Sequence, residues 1–185
     1  MASVAGLAQA QDSNADRVAA DQFLVPGRIP HADGRAKIDG ALDDAIWSRA
    51  VVVDLAFETS PRENVSAEVE TKVYLVENGS ALLIAFDARD PAPEAIRAYL
   101  RDRDTAWSDD FVGIVLDTFN DHRRGFEFFA NPLGAQMDLI FDDVNRTENA
   151  AWNAIWESAG KITANGYVVE MAIPFSQLRF PRSDN

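Results

Sequence analysis

Apolar and polar residues alternate at every second position in several short runs, which is the period of a half-buried β-strand. One such run covers residues 65–75. The dipeptides Asn78-Gly79 and Asn165-Gly166 each separate two apolar runs, and a dipeptide of this kind is a strong β-hairpin signal. Further strands are expected at residues 111–116 and 125–130. The pattern predicts an all-β protein, built as an antiparallel β-sandwich of the jelly-roll or immunoglobulin-like type.

One or two short helices are expected beside the sheets. The segment around Leu42 predicts a tight turn into a helix, with Asp43 as its N-cap and Trp47 on its buried face. Residues 93–103 are amphipathic and predict a second helix at an end or edge of the sandwich. No internal repeat follows Lys37, so a solenoid or a propeller is not supported.

Length and composition indicate one domain, because 185 residues with 47% hydrophobic content build one good core but not two. Residues 1–10 are small and apolar and end in Ala8-Gln9-Ala10, which has the form of a signal-peptidase site. We therefore expect a remnant of a secretory signal at 1–10, a flexible leader at 11–36 and the folded domain at 37–185. An ordinary Ala-rich terminus is the alternative to export.

The charge balance excludes one class of partner. Seventeen basic residues against 30 acidic ones give a net charge of -13, which repels nucleic acid and anionic lipid headgroups. No stretch reaches the roughly 20 apolar residues of a membrane-spanning helix. The chain contains no cysteine.

Catalytic motifs are missing from the sequence. The two histidines are His31 and His122, and no nucleophile-elbow, zinc-protease or phosphate-loop pattern occurs. The sequence thus predicts a non-catalytic domain. Paired carboxylates leave three interpretations open: a solvated acidic surface, a glycosidase pair, or a calcium site at strand ends. The main calcium candidates are Asp109, Asp110, Asp117 and Asp138, and Asp142 and Asp143 are further candidates.

The tryptophans give the better indication of binding, since sugar rings stack on indole while their hydroxyl groups pair with polar side chains. Trp47 and one of Trp152 and Trp156 are expected in the core. Trp107 has polar neighbours and is the predicted ligand contact. The other predicted ligand-binding residues are Asp109, Asp110 and Asn131.

A series of short motifs then follows in a recognisable order. The motifs are Ile38-Asp39-Gly40-x-Leu42-Asp43-x-x-x-Trp47, Trp107-x-Asp109-Asp110-x-Val112, Leu116-Asp117, Asn131-Pro132-x-Gly134 and Tyr167-x-x-Glu170-x-x-Ile173-Pro174-Phe175. Together they resemble the carbohydrate-binding module family 9 domain over residues 37–180. The resemblance implies a jelly-roll-like sandwich, stabilised by calcium in some members. It also implies binding of xylan- or cellulose-derived chain ends between two tryptophans, of which Trp107 matches one.

A closer resemblance concerns the parent protein. The run at residues 101–104 and the Asn-Pro-Leu-Gly run at Asn131 are similar to the version found at the N-terminus of large bacterial outer-membrane proteins. There the domain precedes a region predicted to form a membrane-associated β-barrel. This implies that the barrel region is a partner and that the domain lies in the periplasm or outer membrane of a Gram-negative bacterium, where it would serve polysaccharide catabolism.

The chain departs from the family pattern in the sugar clamp. The resemblance places a sugar-contacting Glu at Gly113 and an Arg at Phe129, and neither residue present can form those hydrogen bonds. It also places the second stacking tryptophan beyond Asn185, so we expect a domain that is incomplete at its C-terminus.

Three functional interpretations remain. The main one is a glycan-binding module of an exported cell-envelope protein. The second is a structural domain that packs on the barrel of its parent protein and binds no free sugar. The third is a haem-binding electron-transfer domain, with Met137 as one axial ligand and Lys72 or His122 as the other.

Overall fold

The computed structural model describes residues 28–58 and 64–181, which form strands joined by turns and three short 3₁₀ helices. The strands of this described part are β1 Val51–Asp54, β2 Phe57–Glu58, β3 Val65–Ser66, β4 Thr71–Glu77, β5 Ala81–Arg89, β6 Val112–Leu116, β7 Arg124–Ala130, β8 Gln136–Asp142, β9 Thr147–Asn149, β10 Glu157–Thr163 and β11 Gly166–Pro174. The helices are Ala45–Arg49, Pro93–Ala95 and Phe175–Gln177.

Two antiparallel sheets form the body of the domain. The five-stranded sheet has the order β1-β4-β5-β11-β10, and the four-stranded sheet has the order β6-β7-β8-β9. Strands β2 and β3 form a separate two-stranded ribbon. The predicted all-β, antiparallel sandwich is confirmed.

The core lies between the two sheets. Ile84 and Met171 of the five-stranded sheet and Phe128 of the four-stranded sheet are all fully buried there. Because side chains alternate along a strand, the same register turns the intervening residues of β6, β7 and β8 away from the core. We call this surface the outer face; its residues are Gly113, Val115, Gly125, Glu127, Phe129, Met137, Leu139 and Phe141.

The N-terminal part of the described chain covers the other side of the five-stranded sheet. Trp47 and Ala32 are buried there against Leu83. Backbone hydrogen bonds join Glu77 of β4 to the segment 30–32. These contacts bind residues 30–32 of the predicted leader to the sheet, and the domain boundaries themselves stay a prediction. Residues 1–27, including the predicted secretory signal, lie outside the described residues.

Both predicted hairpins are confirmed. Asn78-Gly79 joins β4 to β5, and Gly166 opens β11 after the turn from β10. Gly79 has φ +83° and Gly166 has φ +136°, where residues with a side chain are strained. A Cβ atom on Gly166 would also lie 2.0 Å from the carbonyl oxygen of Ala88. The turn signal therefore reflects a backbone requirement.

The long strand predicted over residues 65–75 is divided in two. Val65 and Ser66 pair with β2, whereas β4 begins at Thr71 and pairs with β1 and β5. Apolar alternation continues through both pieces, so the pattern itself does not show that they pair with different partners.

The helix predicted at residues 93–103 is limited to Pro93–Ala95. Beyond it, the backbone N–H groups of Arg97 and Tyr99 donate to the carboxylates of Asp110 and Asp109. Amide donors that are used in this way cannot make the i→i−4 bonds of a helix. The short helix predicted after Leu42 is present but starts one residue later than predicted. It begins at Ala45, and its N-cap is Asp44 rather than Asp43.

Candidate functional site

Asp109 is a buried structural residue in this fold. Its side chain is 1% exposed and accepts hydrogen bonds from the Tyr99 N–H at 3.0 Å, Asn131 Nδ2 at 2.9 Å and an Arg101 guanidinium nitrogen at 3.2 Å. Burial alone would raise the pKa of Asp109, but these hydrogen bonds outweigh it and hold the pKa below its usual value. Asp109 therefore anchors the extended segment that follows Pro93–Ala95 and presents no free oxygen to a ligand.

Asn131 and Asp110 complete the same anchor. The Asn131 amide donates to Asp109 and to the Tyr99 carbonyl, and its oxygen accepts from the backbone N–H groups of Leu133 and Ala135. Asp110 accepts from the Arg97 N–H at 2.8 Å. The structure thus brings three of the predicted ligand-binding residues together, but it engages them with the protein itself.

Asp138 lies apart from this anchor, on the core side of β8. Its fully buried carboxylate forms an ion pair with Arg103 at 2.5 Å and accepts from the Ala154 N–H at 2.6 Å. Asp117 lies in the turn after β6, where the N–H groups of Phe119 and His122 donate to it. Three of the four predicted calcium ligands thus lie on different elements, each with donors of its own.

These contacts do not fit a calcium site. No group of three or more carboxylates or histidines that could hold a metal ion occurs within residues 28–58 and 64–181. The carboxylates of Asp109, Asp110, Asp117 and Asp138 already accept hydrogen bonds from arginine side chains or backbone amides. Calcium would instead need six to eight oxygen ligands around one point. Calcium binding stays a prediction, one that these four residues do not support.

Trp107 is the predicted site residue that remains available. Its side chain is 43% exposed, in contrast to the buried Trp47 and Trp156. Its indole meets the rings of Phe111 and Phe129 edge to face, at centroid distances of 5.9 and 5.6 Å. Phe111 and Phe129 also contact each other at 5.5 Å. We call these three rings the aromatic cluster; it holds the indole in place while leaving it accessible.

Gly113 and Phe129 form a matched pair at the base of the aromatic cluster. They are directly opposite each other on β6 and β7. A Cβ atom on Gly113 would lie 2.0 Å from the Phe129 ring and 2.6 Å from the carbonyl oxygen of Phe128. The Phe129 ring therefore occupies the space over Gly113, and the two residues are interdependent.

Glu127 is a candidate site residue that the sequence analysis missed. It lies on the outer face two residues from Phe129, with Val115 and Leu139 as its cross-strand neighbours. Burial, and secondarily the charge of Glu148 on β9, raises the pKa of Glu127 to about 7. The signal available in the sequence was the single acid within the apolar run of β7.

The haem ligands suggested by the sequence lie on separate elements. Met137 is fully buried against Phe129 and Ala106. Lys72 belongs to β4 of the five-stranded sheet and pairs with Glu70 at 3.2 Å, and His122 lies in the turn after β6. A Met that is packed in this way belongs to the apolar cluster on the outer face.

The motif that begins at Ile38 has a structural explanation. The fully buried carboxylate of Glu170 accepts hydrogen bonds from the N–H groups of Asp39 and Gly40 and from Trp47 Nε1, at 2.9, 2.7 and 2.9 Å. Burial raises the pKa of Glu170 against the opposing effect of these bonds. Glu170 thus ties the N-terminal layer to the five-stranded sheet.

A family model described as carbohydrate family 9 binding domain-like matches residues 38–185, most of the chain. The chain belongs to this family. The resemblance to family 9 is thereby confirmed, and Trp107, Gly113 and Phe129 lie within the matched region. A family 9 carbohydrate-binding domain is generally non-catalytic, and this chain carries no evident catalytic domain.

One relative is an endo-1,4-beta-xylanase C from Paenibacillus barcinonensis. It is 22% identical over 150 residues, which are 81% of this chain and 12% of the xylanase. The chain therefore spans about an eighth of that relative, and the activity of the whole xylanase does not transfer to it.

Solved structures of the family share the fold. A family 9 carbohydrate-binding module from Caldicellulosiruptor kristjanssonii in complex with cellotriose superposes with a TM-score of 0.51 at 18% identity, over 83% of this chain and 69% of that one. The glucose complex from the same organism gives a TM-score of 0.53 at 19% identity, over 86% and 73%. At such identities the likeness shows the family 9 fold alone. Within the described residues of this family 9 domain, no helix is long and apolar enough to cross a membrane.

Proposed function

We propose that this family 9 domain binds chain ends of neutral xylan- or cellulose-type glycans on the outer face, with one sugar ring stacked on Trp107. The observation that carries the proposal is an exposed indole held by two buttressing rings. A fixed indole loses little conformational freedom when a flat sugar face packs on it. The sugars named for the solved complexes, cellotriose and glucose, support the choice of ligand.

Calorimetric titration with cellotriose and xylotriose tests this proposal. The wild type should bind at least one trimer, and Trp107→Ala should weaken that binding about tenfold or more, since aromatic contacts are worth roughly 0.5–1.5 kcal/mol beyond the area they bury. Phe180→Ala is the matched control, because Phe180 is also an exposed aromatic, 51% exposed, but packs on Phe175. Absence of binding to either trimer, or equal binding by wild type and Trp107→Ala, would refute the proposal.

The cellular setting belongs to the same proposal. Export to the periplasm or outer membrane is supported by the Ala8-Gln9-Ala10 pattern, and a role in polysaccharide catabolism by the xylanase relative. Fractionation of the native bacterium followed by mass spectrometry of the mature N-terminus tests the location. An uncleaved protein in the cytoplasmic fraction would contradict it.

A second candidate is an interaction domain that packs on the remainder of its parent protein. The apolar Gly113–Phe129 pair favours it, because the resemblance places sugar-contacting polar groups at both positions. Co-purification of the domain with a separately expressed downstream region would support this function. If cellotriose displaces that region, both functions use the aromatic cluster.

A further inference from the structure

Glu127 occupies apolar surroundings beside the aromatic cluster. Its neighbours on the outer face are Val115 across β6, Leu139 across β8 and Phe129 on its own strand. Residues two apart on a strand are about 7 Å apart along its axis, so the carboxyl group and the aromatic cluster lie within the span of one short oligosaccharide. A ligand stacked on Trp107 and extending along β7 would meet Glu127 first among the polar side chains of these strands.

The carboxyl group of Glu127 has no protein partner. No hydrogen bond or ion pair to it is found in the described part of the chain. Its oxygens nevertheless reach solvent, because in the described residues only Trp156 Nε1 is a fully buried polar side-chain atom without a hydrogen bond. A half-buried carboxyl group that is unpaired but accessible costs stability unless something binds to it, which makes it a candidate for ligand contact.

The charges around Glu127 are acidic. The facing residues of β6 and β8 are apolar, and β9 contributes Glu148. Asp117 follows Val115 by two residues, and its carboxylate accepts a hydrogen bond from the backbone N–H of His122 in its own turn. The Nδ1 atom of His122 lies 4.0 Å from the same carboxylate. The one cation on the described strands of this sheet is Arg124, which pairs with Asp142 at 3.7 Å. Nothing on the outer face neutralises Glu127 or would neutralise an anionic ligand.

Resting on the proposed glycan site, we infer that Glu127 is its specificity-determining residue: its carboxyl group pairs with hydroxyl groups of a neutral sugar and rejects sugars that carry a carboxylate. Both protonation states serve the neutral sugar. The ionised carboxylate accepts hydrogen bonds from two hydroxyl groups, and the acid form donates one and accepts others. A uronate brings a second negative charge to a half-buried carboxylate, so its rejection should weaken where Glu127 is protonated.

The experiment compares cellotriose with the same trimer oxidised to uronic acids. Calorimetry is run at pH 5.5 and pH 8.5 on the wild type, Glu127→Gln and Glu127→Leu. The matched control is Glu157→Gln, which makes the same change at an exposed position of β10. The oxidised trimer stays ionised at both pH values, so any change in its affinity reports on the protein. Circular dichroism confirms that each variant is folded.

We expect the wild type to bind cellotriose similarly at both pH values and the oxidised trimer about tenfold more tightly at pH 5.5 than at pH 8.5. Glu127→Gln should keep cellotriose binding and lose the pH dependence for the oxidised trimer. Glu127→Leu should weaken cellotriose binding about tenfold, the loss of roughly one hydrogen bond to a charged group. Glu157→Gln should behave as the wild type.

Two results would overturn the inference in different ways. If cellotriose binding depends on Trp107 but Glu127→Leu and Glu127→Gln match the wild type with both trimers, the glycan site stands and the role of Glu127 is refuted. If the wild type binds neither trimer, the inference fails, and if it binds no xylotriose either, the proposed function fails with it.

Discussion

Replacing Glu127 with Gln should stabilise the domain at alkaline pH. The substitution keeps the shape and polarity of the side chain but removes the charge that burial disfavours. Burial moves the pKa of Glu127 from its ordinary value of 4.5 to about 7 in the folded protein. Since a tenfold change in an equilibrium is about 1.4 kcal/mol, this difference sets an upper limit of about 3.4 kcal/mol on the effect. The carboxyl group reaches solvent, so we expect roughly 1–2 kcal/mol.

The direction follows from proton binding. Between pH 4.5 and 7 the folded state holds the Glu127 proton that the unfolded chain has released, so the free energy of unfolding falls as pH rises. The contribution is fully present below pH 4.5 and is lost as pH rises through about 7. Glutamine has no such proton. The stability of Glu127→Gln relative to the wild type should therefore increase across this interval and level off above it.

Urea unfolding at pH 5 and pH 9, followed by circular dichroism, measures this difference. Other groups, including Glu170 with its raised pKa, also change with pH, but they are shared by both proteins and cancel in the comparison. Glu157→Gln controls for the removal of one negative charge from an acidic protein. A constant difference between Glu127→Gln and wild type at the two pH values would refute the burial of Glu127, as would destabilisation at pH 9.

Three further substitutions test the contacts around the site by urea unfolding at pH 7. Asp138→Ala leaves Arg103 without its buried partner and should cost about 3–5 kcal/mol; a loss below 1 kcal/mol would show that water replaces the pair. Trp47→Phe removes one hydrogen bond to the buried Glu170 and should cost roughly 1–3 kcal/mol, and an unchanged midpoint would contradict this. Gly113→Ala should cost about 1–3 kcal/mol because its methyl group meets the Phe129 ring. A combined Gly113→Ala, Phe129→Ala variant should lose less stability than the sum of the losses of the two single variants. Strict additivity of those losses would exclude the interdependence.

The sequence predicted the elements that depend on local rules and missed those that depend on distant partners. Asn165-Gly166 predicted its hairpin because the turn needs a glycine backbone. The helix at residues 93–103 failed because Asp109 and Asp110, distant in sequence from its start, take its amide donors. Asp109 itself looked like a ligand residue because the sequence does not reveal that its oxygens are already engaged. Glu127 was overlooked because a glutamate in a strand is ordinarily a solvated one, and only the register places it beside Phe129.

Gly113 and Phe129 stand where the resemblance places a Glu and an Arg, and the two replacements depend on each other. Their combined effect explains why Glu127 would determine the selectivity. An aromatic ring at Phe129 needs a glycine opposite, since a Cβ atom there would lie 2.0 Å from it. The resemblance places Glu and Arg at these positions, and that pair has no net charge but includes one cation. In this chain that cation is absent, and Glu148 is the charged residue that acts on Glu127. With this apolar pair, anionic sugars at the proposed site would meet the negative charge of Glu127 without a cation at positions 113 and 129, whereas neutral sugars would keep a hydrogen-bonding group in reach.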